Sequence, residues 1–162
     1  MDIVEQVKLK LIEYDGKDIK RIGHALKVHS FAKFIAESEG IEPELQQTLE
    51  IAALLHDIGI HAAEEKYGSS AGKYQEIEGP AIAEELMSNL EISEQQKQRV
   101  MYLISKHHTY KDISGLDYQI LIEADFLVNI DEDKIPSDSV KDVLERIIRT
   151  ETAAELIKGI YL

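Results

Sequence analysis

The chain has 162 residues, is 44% hydrophobic and carries a formal net charge of −13. A chain of this length can bury roughly 70% of its unfolded surface in one domain. It has no cysteine, which excludes disulfides, thiolate zinc sites and cysteine nucleophiles and leaves His, Asp and Glu as metal-capable side chains. The excess of 31 acidic over 18 basic residues opposes binding to nucleic acid polymers and anionic membranes, so a small anionic substrate would need a local basic patch.

Met1 to Glu5 lacks the basic and apolar regions of a signal peptide, and no apolar run nears the roughly 20 residues that span a bilayer. A cytoplasmic protein is expected. Met1 to Tyr14 reads as an amphipathic helix with Ile3, Val4, Val7 and Leu11 inward, stopped by Asp15-Gly16. Asp18 to Glu39 reads as a long helix ending at Gly40. There His24, Val28, Phe31, Ala32 and Ile35 form one stripe, with Arg21 a turn before His24 and His29 off the stripe, towards solvent. Arg21 can donate paired bonds to a phosphate or to a carboxylate.

Pro43 opens a third helix whose stripe runs Leu45, Leu49, Ala52, Ala53 and His56, so that His56 and the adjacent Asp57 end an apolar helix just before Gly59. His61 to Tyr67 is a short helical piece. Gly68 to Gly72 reads as a flexible loop able to gate a nearby site. Tyr74 to Leu90 returns to helical spacing, with Gly79-Pro80 marking the helix start and Glu76 and Glu78 at or before it.

Ser93-Glu94-Gln95-Gln96 has capping-box spacing and opens a helix to His108, in which Val100, Leu103, Ile104, His107 and His108 share one face beside Lys106. Asp117 to Ile130 places Leu121, Ala124, Asp125 and Val128 together. Asp131-Glu132-Asp133 and Pro136 form an acidic break, and Ser137 to Arg149 and Thr150 to Ile160 close the chain as helices. No strand signal, repeat or linker competes. The expected fold is all-α, one domain over residues 1–162, built as a bundle of about seven or eight helices.

A lone inward histidine is usually a satisfied core residue. Here His24, His56, Asp57, His107, His108 and Asp125 come from four helices, five of the six on apolar stripes. A shared divalent cation accounts for them together, because neutral imidazoles and carboxylates are its ordinary ligands.

The order His24, then His56-Asp57, then Asp125, with the phrases Leu-Leu-His-Asp-Ile-Gly and Glu-Ala-Asp-Phe-Leu, resembles the HD-domain superfamily of metal-dependent phosphohydrolases over about residues 21–133. The resemblance implies an all-helical HD-type bundle that binds one or two divalent ions and hydrolyses phosphate esters of nucleotides or related small molecules. Carried over, His24, His56, Asp57 and Asp125 would hold the first ion, with Mn, Fe, Co, Ni or Zn all admissible. His107 and His108 resemble the late histidine pair of binuclear members. The earlier histidine of such members has no counterpart between Gln75 and Pro80. Glu78 is therefore a candidate second-ion ligand, or a base orienting the attacking water, and His61 a pocket or surface residue.

The expected function is hydrolysis of a nucleotide or other small phosphate ester through a metal-activated water. Asp57 and Glu78 are its catalytic candidates, and Arg21 and Lys106 bind substrate, with Lys73 and Lys111 as further cations. His107 and His108 would bind a second ion or protonate the leaving alcohol. Two alternatives stand beside it: a two-iron oxygenase, and a noncatalytic nucleotide sensor with the same pocket. No nucleic acid or membrane partner is expected, and apolar stripes on the terminal helices would permit a homodimer.

Overall fold

The apolar periods of the sequence become helices in the computed structural model, which describes residues 1–162 and contains no strand. In order they are α1 (Ile3–Asp15), α2 (Ile19–Glu39), α3 (Pro43–Leu55), α4 (Ile60–Tyr67), α5 (Gly72–Met87), α6 (Glu94–Lys106), α7 (Leu116–Glu132), α8 (Ser137–Arg146) and α9 (Glu151–Tyr161). Nine helices stand where seven or eight were expected, since the short α4 and both closing helices form as separate elements. None is long and apolar enough to cross a membrane.

The helix ends follow their sequence signals. Asp2, Asp18, Ser93 and Thr150 each accept a backbone N–H in the first turn that follows them. Gly40 closes α2 in the left-handed conformation. Helix α3 is buried continuously from Thr48 to Leu55, so it is the central rod rather than a half-exposed element. Helices α1, α2, α6 and α7 pack around it. Each fully buried Leu or Ile there, such as Leu49, Ile51 and Leu54, contributes about 1.5–3 kcal/mol. Because this rod ends at His56, an imidazole is delivered to the middle of the bundle with no exposure at all.

Three readings change. Gly79-Pro80 is not a helix start: α5 begins at Gly72 and runs through Pro80. Instead, Gly79 lies against Gly59 in the turn after His56. A Cβ on Gly59 would sit 2.7 Å from the Gly79 nitrogen and 2.9 Å from the Gln75 carbonyl oxygen. The glycine pair marks a close backbone approach, and the helix carries its proline at that contact. His29 is not a surface residue either. It is buried, with Nε2 2.8 Å from Glu50 Oε1, because α2 packs against α3 as well as α7 and so has two covered faces.

The segment expected to be a flexible gate is clasped. Tyr67 and Tyr74 stack across it with centroids 4.2 Å apart, and Gln75 Nε2 donates to the Ser70 carbonyl at 2.6 Å. At the far side of α6, Arg99 grips Asp117 with paired bonds of 2.8 and 2.7 Å, fixing the start of α7 relative to the helix that carries the late histidines.

The Gly59→Ala variant is expected to lose about 1–3 kcal/mol of stability, since the new methyl meets backbone rather than a yielding side chain. Gly23→Ala, inside α2 with open space around it, should gain about 0.5–1 kcal/mol. Chemical denaturation of both measures the contrast, and a Gly59→Ala protein as stable as the parent would show the approach to be slack.

Candidate metal centre

Four side chains from three parts of the bundle aim at one point. His24 Nε2 comes from α2, His56 Nε2 and Asp57 Oδ2 from the end of α3, and Asp125 Oδ1 from α7. His24 Nε2 lies 3.3 Å from His56 Nε2, 3.2 Å from Asp57 Oδ2 and 3.2 Å from Asp125 Oδ1. His56 Nε2 lies 3.4 Å from each of the same two oxygens. Each carboxylate oxygen thus forms a near-equilateral triangle with the two histidine nitrogens, with edges that suit an ordinary metal–ligand bond of about 2 Å.

The outer nitrogens explain why the inner ones face inward bare. His56 Nδ1 donates to the Ala53 carbonyl at 2.7 Å, and His24 Nδ1 donates to Glu132 Oε1 at 2.7 Å. Each ring thus spends one proton outward and turns a lone pair to the centre, as metal-ligating histidines do. Asp125 Oδ1 is buried and accepts no hydrogen bond, although both rings are within 3.4 Å, because no donor is aligned with it. An unpartnered buried carboxylate oxygen costs several kcal/mol unless a cation meets it. The four residues therefore fit a divalent ion.

The electrostatics agree. Burial alone would lower the His24 pKa, but the Asp125 and Asp57 carboxylates outweigh it and hold it up at about 11. Burial likewise opposes and is likewise overcome at His56, raised by Asp57 and Asp125. Asp57 is held well below the usual carboxylate range against its own burial, chiefly by His56 and His107, and Asp125 chiefly by His56 and His24. Without an ion the cluster keeps protons where an ion would sit.

Asp57 also reaches the other way. Its Oδ1 lies 3.4 Å from His107 Nε2, and the ligand atoms of Asp57, His107 and His108 fall within 4.8 Å of one another. His107 Nδ1 donates to the Ile104 carbonyl at 2.6 Å, again leaving Nε2 bare. Gln75 Oε1 completes this second group, 3.1 Å from His107 Nε2 and 3.0 Å from His108 Nε2. Burial first, and His107 second, push the His108 pKa down to about 4. Gly72 lies so close to the His108 ring that a Cβ there would be 2.7 Å from its Cγ.

Two expected residues stand elsewhere. Glu78 does not face the cluster: its Oε2 accepts from the Tyr67 hydroxyl at 3.0 Å and pairs with Lys66 at 3.4 Å. Although only three residues along α5 from Gln75, and so on a neighbouring face, it is drawn off the cluster by Lys66 and Tyr67 of α4. Lys106 does not line the site cavity, because it ends α6 on the flank, where its carbonyl meets Tyr118. Lys73 lays its ammonium over Tyr74, 4.9 Å from the ring centroid. His61 is nearly half exposed and pairs with Asp18 at 3.2 Å.

Arg21 is where it was expected. It lines, with Lys20, a cavity of about 280 Å³ whose floor is His24, Asp57 and Asp125. Gln75 and Glu132 escaped the sequence reading, although both also line this cavity. A larger polar depression, about 490 Å³, lies over the His29–Glu50 pair, away from both groups able to hold an ion.

Glu132 also pairs with Lys27 at 2.9 Å, so a charged chain runs from solvent to the outer nitrogen of His24. Glu132→Gln is expected to weaken metal binding about 10- to 100-fold, read by titration of the metal-free protein. Affinity should also rise from pH 6 to pH 9, because the ion must displace a proton that His24 holds up to about 11. A flat profile across that range would contradict the assignment.

Comparison with known proteins leads to the same place. No match is found among curated protein sequences. The crystal structure of a predicted HD superfamily hydrolase from an uncultured Thermotogales bacterium is similar in fold, with 26% identity and a TM-score of 0.68. The match covers 97% of this chain and 84% of that one. The model of the HD domain matches residues 21–157, a span that contains both groups able to hold an ion, and the chain accordingly belongs to the HD domain family.

Proposed function

We propose that this chain is a divalent-metal-dependent phosphohydrolase that cleaves a nucleotide or other small phosphate ester by attack of water. The observation that carries the reading is Asp125 Oδ1, a buried oxygen without a hydrogen bond among three other converging donor atoms, beneath a cavity entered past Lys20 and Arg21. His24, His56, Asp57 and Asp125 would hold the ion. When bound, such an ion brings the pKa of a coordinated water towards roughly 7 and polarises a phosphoryl oxygen.

The side chains supply the rest. Arg21, one turn before His24 on α2, offers a planar fork to the phosphate, and Lys20 adds a second positive charge. Neither is tied up in an ion pair on a protein of net charge −13, so their field is available to an incoming anion. Asp57 directs Oδ2 to one group and Oδ1 to the other, which suits it to orient the attacking water between them. His108, neutral at pH 7, serves as a ligand or an acceptor and not as the acid that protonates the leaving alcohol. A second ion would lie among Asp57 Oδ1, His107, His108 and Gln75, with the Gln75 amide oxygen in the role first considered for Glu78. That same group keeps two-iron oxygen chemistry as an alternative, favoured by two irons per chain with oxygen uptake on adding substrate.

His56→Ala and Asp57→Ala are expected to abolish bound metal and phosphatase turnover together, measured by elemental analysis and phosphate release. Turnover retained by a metal-free variant would refute the mechanism. Gln75→Leu should lower metal content from two ions per chain to one, and a content unchanged by this substitution would remove Gln75 from the ligand set.

A further inference from the structure

The cavity over the metal centre has an unusual lining for a nucleotide site. Of the residues around it, Ile60 is the one hydrophobic side chain, and apart from the histidines there is no aromatic ring. Nearby tyrosines are committed elsewhere: Tyr67 stacks on Tyr74, and Tyr110, whose hydroxyl reaches His108, lays its ring against Phe126 with centroids 5.1 Å apart. A nucleobase bound here would lose its water and gain no ring to stack on and little apolar surface. The volume, about 280 Å³, is also at the low end for a pocket that encloses a ligand, and the phosphate must share it.

The polar lining is rich in groups with capacity to spare. Lys20 and Arg21 enter from the first turns of α2, and Asn129, Glu132 and Asp133 from the last turns of α7. The side chains of Lys20, Arg21, Asn129 and Asp133 form no hydrogen bond or ion pair within the protein, whereas Glu132 is held by His24 and Lys27. Two free cations suit a phosphate. A free amide and a free carboxylate beside them suit hydroxyl groups, which both donate and accept.

We infer that the substrate is the phosphate monoester of a small polyhydroxylated alcohol, a sugar or polyol phosphate, rather than a nucleotide. This rests on the phosphohydrolase reading above. Arg21 and Lys20 take the phosphate, while Asn129 and Asp133 bond the hydroxyls, and a substrate lacking those hydroxyls leaves these groups desolvated without partners.

The test is a comparison of kcat/KM for hexose 6-phosphates and glycerol phosphate with that for nucleoside 5′-monophosphates, using metal-loaded protein and p-nitrophenyl phosphate as a general substrate. The sugar or polyol phosphates are expected to lead by roughly tenfold or more. Hexose 6-phosphate should also raise the melting temperature of the protein more than a nucleoside 5′-monophosphate does. Asn129→Leu should reduce kcat/KM for the preferred phosphate roughly tenfold more than for p-nitrophenyl phosphate. Nucleoside monophosphates cleaved equally well or better would overturn the inference and leave the phosphohydrolase reading standing. Absence of cleavage of every phosphate, p-nitrophenyl phosphate included, would overturn both.

Discussion

The structure turns on the repulsion among two histidine nitrogens and two carboxylate oxygens in the centre of a helical bundle, each oxygen 3.2 Å from one nitrogen and 3.4 Å from the other. Two imidazole lone pairs and two carboxylate oxygens do not share such a space without positive charge between them. In the metal-free protein protons supply that charge, which is why His24 holds one to about pH 11. A divalent ion supplies more of it and fits the spacing better. Seen this way, the raised imidazoles and depressed carboxylates are two descriptions of one deficit of positive charge.

That deficit is maintained by groups outside the cluster. Ala53 and Glu132 draw the outer protons of His56 and His24, so each ring in its neutral form turns a lone pair inward. The burial of α3 keeps the His56 ring itself out of solvent. The second group depends on backbone contacts in the same way. Gly59 and Gly79 allow α5 close enough for Gln75 to reach His107, and Gly72 lets the first turn of α5 lie against His108. A side chain at Gly59 or Gly72 would separate α5 from the histidines that it serves, so these glycines belong to the site as much as to the fold.

The sequence made the inward residues legible because His24, His56, His107 and Asp125 prolong apolar stripes of uninterrupted helices. The all-helical class was legible for the same reason. What escaped it lay where one local signal stands for two different structures. Gly79-Pro80 has the composition of a helix start and the function of a close contact, and starting α5 there detached Gln75 from the helix and drew attention to Glu78. Asp131-Glu132-Asp133 looked like a break, yet α7 continues through Glu132 to reach His24. His29 seemed exposed because a single stripe was assigned to α2, a helix covered on two sides. Each miss required knowledge of the neighbouring helix, which periodicity along one helix does not contain.

The distribution of charge gives these parts a common direction. With a net charge of −13, the surface disfavours extended polyanions at long range, and screening confines any attraction near the site to about a Debye length. Under the proposed reading, Lys20 and Arg21 would act at short range, on a small phosphate that enters their cavity. Deeper in, the carboxylates that would repel a phosphate are the ones that would be neutralised by the ion they bind. Under the proposed phosphohydrolase reading, metal occupancy and substrate admission would be coupled through the same oxygens: metal-free, the cavity floor presents Asp57 and Asp125 to an anion, and a bound ion would reverse the sign it meets.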